Sequence, residues 1–174
     1  MARKVEVCSY DDEWTKRFED EAKVLKNIFK DELVAVHHIG STAVPGLKAK
    51  PIIDLMPVIR NIERVDLFNE DMERVGYETL GENGLAGRRY FQKGGEQRSH
   101  HVHVYQFGSP EIYRHIAFRD YLSAHPEIKT TYGELKEKLA KQFPYDIESY
   151  IAGKNDLVSV IEEKACRWFY EEND

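Results

Sequence analysis

Residues 37–56, HHIGSTAVPGLKAKPIIDLM, contain the pattern that decides the fold. An apolar run ends at Gly40 and Ser41, and a turn-rich segment then leads to a second apolar run with one acid, Asp54. Two apolar runs on either side of a segment rich in turn formers predict two β-strands joined by a loop. Because side chains alternate along a strand, Asp54 and Met56 share one face of the second strand. A carboxylate inside an apolar strand needs a partner, so Asp54 is the first candidate for a functional residue.

The patterns on either side of this stretch predict the rest of the fold. Helical spacing of apolar residues predicts an N-terminal helix over about 13–31 and an amphipathic helix over 62–76. The runs GRRYFQK and SHHVHVYQF, with the turn GGEQR between them, predict an antiparallel pair of strands. Further helices are predicted over about 110–124, 127–142 and 146–170. Together these elements predict one α+β domain over residues 1–174, a mixed sheet with the N-terminal helix and the C-terminal helices packed on it.

Composition is typical of a globular protein. The 174 residues suffice for one domain with a core, and 41% of them are hydrophobic. The net charge of −6 argues against a broad nucleic-acid-binding surface. No apolar run approaches the roughly 18 residues that span a membrane, and the N-terminus lacks the apolar core of a signal peptide. We therefore expect a cytoplasmic protein without nucleic-acid or membrane partners, whose oligomeric state the sequence leaves open.

The turn at Gly40 and Ser41 has a pattern that suits phosphate binding. Backbone amides just after a strand can hold phosphate oxygens, Gly40 permits close approach, and Ser41 adds a hydroxyl. An acid on the adjacent strand, such as Asp54, could hold a metal bound to the same phosphates. The alternative is structural: a tight turn with a helix-capping serine, and an acid paired with an arginine. The residue pattern alone leaves both interpretations open.

Several motifs resemble those of the GrpB family. They are HIGSTAVPGLKAKPIIDL, GRRYF at 87–91, HHVHV at 100–104, AFRDYL at 117–122 and YIAGK at 150–154, in the same order over nearly the whole chain. The family resembles the nucleotidyltransferase superfamily in fold, with Gly-Ser and Asp at matching positions. The resemblance implies a nucleotidyltransferase-like mixed sheet and a site for a nucleotide or another phosphorylated ligand. GrpB-like domains also occur fused to a kinase of the coenzyme A pathway.

Two positions depart from what the resemblance implies. Nucleotidyltransferases typically carry a second acid two residues after the first, where this chain has Met56. A thioether does not replace a carboxylate for Mg²⁺, which takes oxygen ligands. The residue before HIGST is often Glu in the family, and here it is His37. Two-metal Mg²⁺ catalysis therefore lacks two of the acids that it would use.

The run SHHVHVYQF supplies candidate histidines. On a strand His101 and His103 point to one face and His100 to the other. If this strand lies next to the strand of Asp54, the two imidazoles and the carboxylate form a ligand set that suits Zn²⁺, Mn²⁺ or Fe²⁺ better than Mg²⁺. Without a metal, one imidazole could orient Asp54, and His103 could carry a proton, since the reference pKa of histidine is near 6.5. A purely structural role is the third interpretation.

Three basic residues are candidate phosphate ligands. Arg88 and Arg89 begin a strand and point to opposite faces, and we favour Arg89 for a bidentate phosphate contact. Lys154 follows YIAG near the start of the last helix, and Lys50 precedes the strand of Asp54. An ordinary surface position is the alternative for each of them.

These patterns predict a nucleotidyltransferase-like protein that binds a nucleotide or another phosphorylated ligand. Gly40, Ser41, Lys50, Arg89 and Lys154 would bind phosphate; Asp54, His101 and His103 would hold a divalent metal. Mg²⁺ or Mn²⁺ is expected first, with Zn²⁺ as an alternative. Asp54 and His103 would be the catalytic residues if an acceptor hydroxyl attacks the α-phosphate. Two other interpretations stay open: a non-catalytic module for a nucleotide or a coenzyme A-type ligand, and a metal-dependent hydrolase built on the same three side chains.

Overall fold

The chain forms two compact units. The structure is a computed structural model that describes residues 3–173. Asp12–Ile39 and Ile52–Ile112 form the sheet unit, and the residues up to Asp11, Gly40–Pro51 and the residues from Tyr113 onward form the helical unit. The single domain predicted over residues 1–174 stays a prediction, and residues 1, 2 and 174 lie outside the described part.

The sheet unit is a mixed five-stranded sheet with two helices. Its elements are α1 (Glu13–Phe29), β1 (Leu33–Ile39), β2 (Ile53–Ile59), α2 (Asn69–Arg74), β3 (Tyr77–Thr79), β4 (Arg89–Lys93) and β5 (His100–Gln106). The strand order is β1-β2-β5-β4-β3, in which β2 and β5 are parallel and the other neighbours antiparallel. The predicted strands around Gly40 and the predicted β4–β5 pair are therefore confirmed.

Hydrophobic burial explains why β2 lies inside the sheet. All of its residues except Asp54 are buried, as expected of a strand with neighbours on both sides. Helix α1 covers one sheet face with the buried Trp14, Leu25 and Phe29. On that face Glu21 also accepts hydrogen bonds from Tyr77 Oη at 2.7 Å and Lys93 Nζ at 2.9 Å.

The segment predicted as one helix over 62–76 is divided in two. A 3₁₀ helix covers Ile62–Phe68, and only Asn69–Arg74 is α-helical. Asn61 begins the tighter turn, because its Oδ1 accepts from the Glu63 amide at 3.1 Å. Gly76 ends the segment with φ +97°, which a residue with a Cβ rarely adopts. Strand β3, which follows it, was not predicted.

The helical unit contains most of α3 (Pro110–Ala124), together with α4 (Pro126–Gln142) and α5 (Ile147–Asn173). These bounds confirm the three predicted C-terminal helices to within a few residues. Helices α4 and α5 pack closely, since a Cβ at Gly153 would come 2.6 Å from Leu139 Cδ2. An extended N-terminal segment joins the unit through a β-bridge between Cys8 and Ala49. In the described part of the chain, no helix combines the length and the hydropathy that crossing a membrane requires.

Candidate functional site

Asp54, His101 and His103 lie together on one face of the sheet. Strands β2 and β5 are neighbours, and Asp54 is the register partner of His101. His103 follows two residues later in β5, so its side chain points to the same face, and that of His100 to the other. The prediction that both histidines face Asp54 depended on these strands being adjacent, which is the arrangement found.

Both imidazoles contact one oxygen of the carboxylate. We call Asp54, His101 and His103 the Asp54 cluster. His103 Nε2 lies 3.0 Å from Asp54 Oδ1, and His101 Nδ1 lies 3.4 Å from the same oxygen. The side chains of Asp54, His101 and His103 are 24%, 21% and 14% exposed, so solvent reaches all three. One donor atom from each residue lies within 4.8 Å of the others, a separation that a single metal ion can bridge.

The two histidines keep Asp54 ionised. Burial alone would raise the pKa of the carboxyl. Hydrogen bonds and electrostatic attraction from His101 and His103 outweigh burial and hold the pKa of Asp54 far below its usual range. Near neutral pH the group is therefore a carboxylate, which accepts hydrogen bonds and binds cations.

Arg98, which the sequence patterns did not single out, adds a positive charge beside the cluster. Its Nη1 donates to Gln92 Oε1 at 2.7 Å and lies 3.2 Å from His101 Nε2. A guanidinium only donates hydrogen bonds, so Nε2 of His101 accepts and the ring proton sits on Nδ1, which faces Asp54. Arg98 therefore favours a single tautomer of His101. The only sequence signal was a basic residue in the turn three positions before His101.

The structure brings Arg88, and not Arg89, to the face of the Asp54 cluster. Tyr90 is the register partner of His103, and their ring centroids are 5.3 Å apart. The guanidinium of Arg88 lies over the Tyr90 ring, 5.1 Å from its centroid. Arg89 points to the opposite face, where its Nε and Nη2 donate to Asp66 at 2.9 and 3.3 Å. Strand register therefore places Arg88 on the face of the histidines and Arg89 on the other face, and the role of Arg89 as a phosphate ligand stays a prediction.

The donor set of the Asp54 cluster fits a transition metal better than Mg²⁺. Two imidazole nitrogens and one carboxylate oxygen suit Zn²⁺ or Mn²⁺, and tetrahedral ligands at about 2.0–2.1 Å from zinc lie about 3.3 Å apart. The contacts of 3.0 and 3.4 Å to Asp54 match that spacing. Met56, which lies on the same face, is fully buried and offers no oxygen. A metal on His101 Nδ1 would require the other tautomer, against the preference set by Arg98.

Gly40 and Ser41 belong to the helical unit and form a short turn. Gly40 has φ +73° and ψ −170°, a conformation nearly confined to glycine, and it caps a 3₁₀ turn over Ser41–Ala43. Within the turn, the Ala43 amide donates to Gly40 O at 3.2 Å and the Val44 amide to Ser41 O at 3.1 Å. The glycine is therefore needed for the backbone path, and phosphate binding at this turn stays a prediction.

Lys50 and Lys154, predicted separately as phosphate ligands, lie over the same aromatic ring in the helical unit. Lys50 Nζ is 5.1 Å and Lys154 Nζ is 5.5 Å from the ring centroid of Tyr150. Tyr150 is fully buried, burial raises the pKa of its phenol, and its Oη has no hydrogen-bond partner among the described residues. Each ammonium group makes a cation–π contact with this ring, and the role of the two lysines as phosphate ligands stays a prediction.

Comparison with known proteins identifies relatives of the whole chain. Residues 4–164 match the family model described as GrpB protein. The chain is 52% identical over 166 residues to the UPF0157 protein YqkA of Bacillus subtilis, covering 95% of this chain and 48% of that protein, about half its length. A dephospho-CoA kinase of Mycolicibacterium paratuberculosis is 24% identical over 183 residues, covering 91% of this chain and 45% of the kinase.

Solved structures of the same fold support the family relationship. The crystal structure of conserved protein GrpB from Enterococcus faecalis has a TM-score of 0.92 and 48% identity, and the match covers 95% of this chain and 99% of that one. The Cid1 poly(U) polymerase with MgGTP bound has a TM-score of 0.53 and 19% identity over 78% of this chain and 44% of its own. At that identity the likeness shows the fold alone, which is nucleotidyltransferase-like. The family model and these relatives cover nearly the whole chain, which therefore belongs to the GrpB family.

Proposed function

We propose that this chain binds a nucleotide or another phosphorylated ligand together with a divalent metal, and that Asp54, His101 and His103 hold the metal. One observation carries the proposal: three side chains from two adjacent strands direct donor atoms to within 4.8 Å of one another on a solvent-accessible face of the sheet. The nucleotidyltransferase-like fold supports the choice of ligand class.

The residues themselves favour Mn²⁺ or Zn²⁺ over Mg²⁺. Nitrogen donors disfavour Mg²⁺, and Met56 stands where an oxygen donor would be. A bound divalent metal supplies positive charge that attracts phosphate oxygens. Asp54 provides the negative charge that holds such a cation, and the two imidazoles provide neutral donors. Loading requires His101 to move its proton from Nδ1 to Nε2, so Arg98 Nη1, 3.2 Å from Nε2, must turn away.

The helical unit, taken by itself, carries the residues that we propose for binding a phosphate group. Lys50 and Lys154 share the ring of Tyr150, which concentrates two positive charges. Gly40 and Ser41 contribute the turn that the sequence patterns indicated, with Gly40 holding a conformation that other residues avoid. Arg89 has no part in the proposal, because Asp66 already binds its guanidinium.

The reaction that these groups support is nucleotidyl transfer. An acceptor hydroxyl would form a bond to the α-phosphorus as the bond to the β-phosphate oxygen breaks and pyrophosphate leaves. The hydroxyl proton would pass to solvent, because a His103 that holds the metal through Nε2, 3.0 Å from Asp54 Oδ1, carries its own ring proton on Nδ1. Catalysis of this kind depends mainly on positioning and charge.

A non-catalytic binding module is the second candidate. Met56 supports it, because the fully buried thioether leaves the strand with one acid where transferases of this fold use two. The similarity to part of a dephospho-CoA kinase makes coenzyme A a ligand to test. This candidate gives ligand binding without pyrophosphate release, whereas the first gives both.

A thermal-shift panel tests the proposal. Each nucleoside triphosphate and coenzyme A is added with EDTA, Mg²⁺, Mn²⁺ or Zn²⁺ to the chain and to Asp54→Ala. A ligand at one hundred times its Kd stabilises by about 2.7 kcal/mol, a shift of roughly 5–10 °C for a chain of this size. We expect such a shift for one ligand with Mn²⁺ or Zn²⁺, reduced in Asp54→Ala. If no ligand shifts the melting temperature, the proposed ligand class is rejected. If the shift in Asp54→Ala equals that of the original chain, the assignment of Asp54 as a metal ligand is rejected.

A further inference from the structure

Strand β1 is one edge of the sheet, and a groove runs beside it. The strand order places β2 on one side of β1 and, within residues 3–173, no strand on the other. Between β1 and the second half of α1 lies a groove of about 350 Å³ lined by residues 33–36, four consecutive apolar residues. Val34 in this run is 43% exposed. An apolar edge strand beside an open groove is a template for pairing with another extended chain.

Two lysines of α1 and the lysine that follows the helix form the other wall of the groove. Lys23 and Lys26, three residues apart, lie on one helix face, Lys30 caps the helix, and all three are exposed and line the groove. None of them forms an ion pair with the part of the chain that the structure describes, and no acid lines the groove. The groove is thus locally positive in a chain of net charge −6.

From this charge and geometry we infer that an extended acidic segment of a partner protein adds to β1 as a further strand. Its backbone pairs with the edge of β1, and its acids enter the groove and face the three lysines. Its apolar side chains, which alternate with the acids, point to the opposite face of the sheet. Lys23 and Lys30 are separated by about 10 Å along the helix axis. Alternate residues of a strand are about 7 Å apart, so two or three acids at alternate positions span the lysines.

The positive charge of the groove also disfavours a second copy of this chain as the partner. Pairing of two β1 strands would bring two sets of Lys23, Lys26 and Lys30 toward one junction, with no acid of the groove to separate them. An acidic partner removes that repulsion and gives the association a dependence on salt, as expected of charges at the rim of an interface.

The probe is a fluorescein-labelled peptide of alternating valine and glutamate, six residues long, titrated with the full chain and followed by anisotropy. We expect saturable binding and slower hydrogen exchange of β1 amides in the complex. Lys26→Glu should weaken binding at least tenfold. Lys16→Glu, the same charge change at an exposed lysine of α1 outside the groove, should change it less than twofold.

Two further peptides separate strand addition from simple charge attraction. The first carries N-methyl groups at alternate positions, which keep its charge but block its backbone donors, and it should bind at least tenfold more weakly. The second replaces glutamate by lysine and should not bind. The inference is overturned by an absence of saturable binding, by equal affinity of the N-methylated peptide, by equal effects of Lys16→Glu and Lys26→Glu, or by a β1-paired dimer of this chain that excludes the peptide.

Discussion

The two faces of the sheet each carry a carboxylate with histidine, and the two clusters differ in how they are completed. On the face under α1, Glu21 accepts from Tyr77 and Lys93, and His100 Nε2 lies 3.9 Å away; we call these four residues the Glu21 cluster. Glu21 is only 8% exposed. On the other face, Asp54 of the more exposed Asp54 cluster is contacted by two imidazoles.

The partners of each acid explain the difference in role. A tyrosine hydroxyl and a lysine ammonium are fixed donors. Burial would raise the pKa of Glu21, and these hydrogen bonds outweigh it and hold the pKa below its usual value. Such an acid is satisfied inside the protein. Imidazoles can instead donate a proton, accept one or bind a metal. The histidines next to Asp54 can therefore give up their contact with the carboxylate in favour of a metal. The comparison supports a stabilising role for the Glu21 cluster and the proposed binding role for the Asp54 cluster.

The largest effect is expected from Glu21→Ala. The variant leaves the ammonium of Lys93 and the hydroxyl of Tyr77 without their carboxylate, and breaking such a buried pair costs about 3 kcal/mol or more. Chemical unfolding should show this loss, while the affinity for Zn²⁺ stays unchanged. Glu19→Ala, which removes an exposed acid from the same helix, is the control. If Glu21→Ala weakened metal binding as much as stability, the two faces would not be separate.

An intermediate effect is expected from Arg98→Gln. The guanidinium lies 3.2 Å from His101 Nε2, and it opposes both the metal-binding tautomer and a nearby cation. Removing it should strengthen Zn²⁺ binding about tenfold, equivalent to about 1.4 kcal/mol. Competition with a chromogenic chelator measures this. Arg88→Gln removes the same charge from the same face, over Tyr90, and should have a smaller effect. Weaker binding by Arg98→Gln would mean that Arg98 supports the metal site.

The third effect, which is spread over more than two pH units, concerns the pH dependence of stability. Burial lowers the pKa of His100 from 6.5 to about 4. Between pH about 6.5 and about 4, the unfolded chain therefore binds a proton at His100 that the folded chain does not bind. The free energy of unfolding is highest above this window and decreases as the pH falls through it. Inside this window the free energy of unfolding changes by about 1.4 kcal/mol per pH unit. Urea unfolding at pH 4.5, 5.5 and 7 should show a shallower slope in His100→Gln. If the free energy of unfolding changes with pH by the same amount in both proteins, His100 does not cause the pH dependence.

Period-two alternation made part of the site predictable. Two strands rich in apolar residues, one with Asp54 and one with His101 and His103, needed only to be neighbours for the cluster to form. The contact of Glu21 with Tyr77 was not predictable, because β3 has three residues and shows no pattern of its own. The choice between Arg88 and Arg89 depended on the register of β4 against β5, which sequence periodicity does not encode.

Helix bounds were predictable where apolar spacing and proline agreed. Helices α3 and α4 begin at Pro110 and Pro126, which suit the first turn of a helix. The prediction of one α-helix over 62–76 was wrong in part, because a 3₁₀ helix and an α-helix give similar apolar spacing over so few residues. Arg98 was missed because the direction of a turn side chain depends on contacts that only the folded chain provides.

Calorimetric titration of metal-free protein with Zn²⁺, Mn²⁺ and Mg²⁺ tests the central claim most directly. The account predicts one Zn²⁺ or Mn²⁺ ion per chain with Mg²⁺ weaker, and a loss of at least a hundredfold in Asp54→Asn. Asp71→Asn, which removes an acid that pairs with Arg74 on α2, should bind as the original chain does. An absence of binding, or equal affinity in Asp54→Asn, would contradict the assignment of Asp54, His101 and His103 as a metal site.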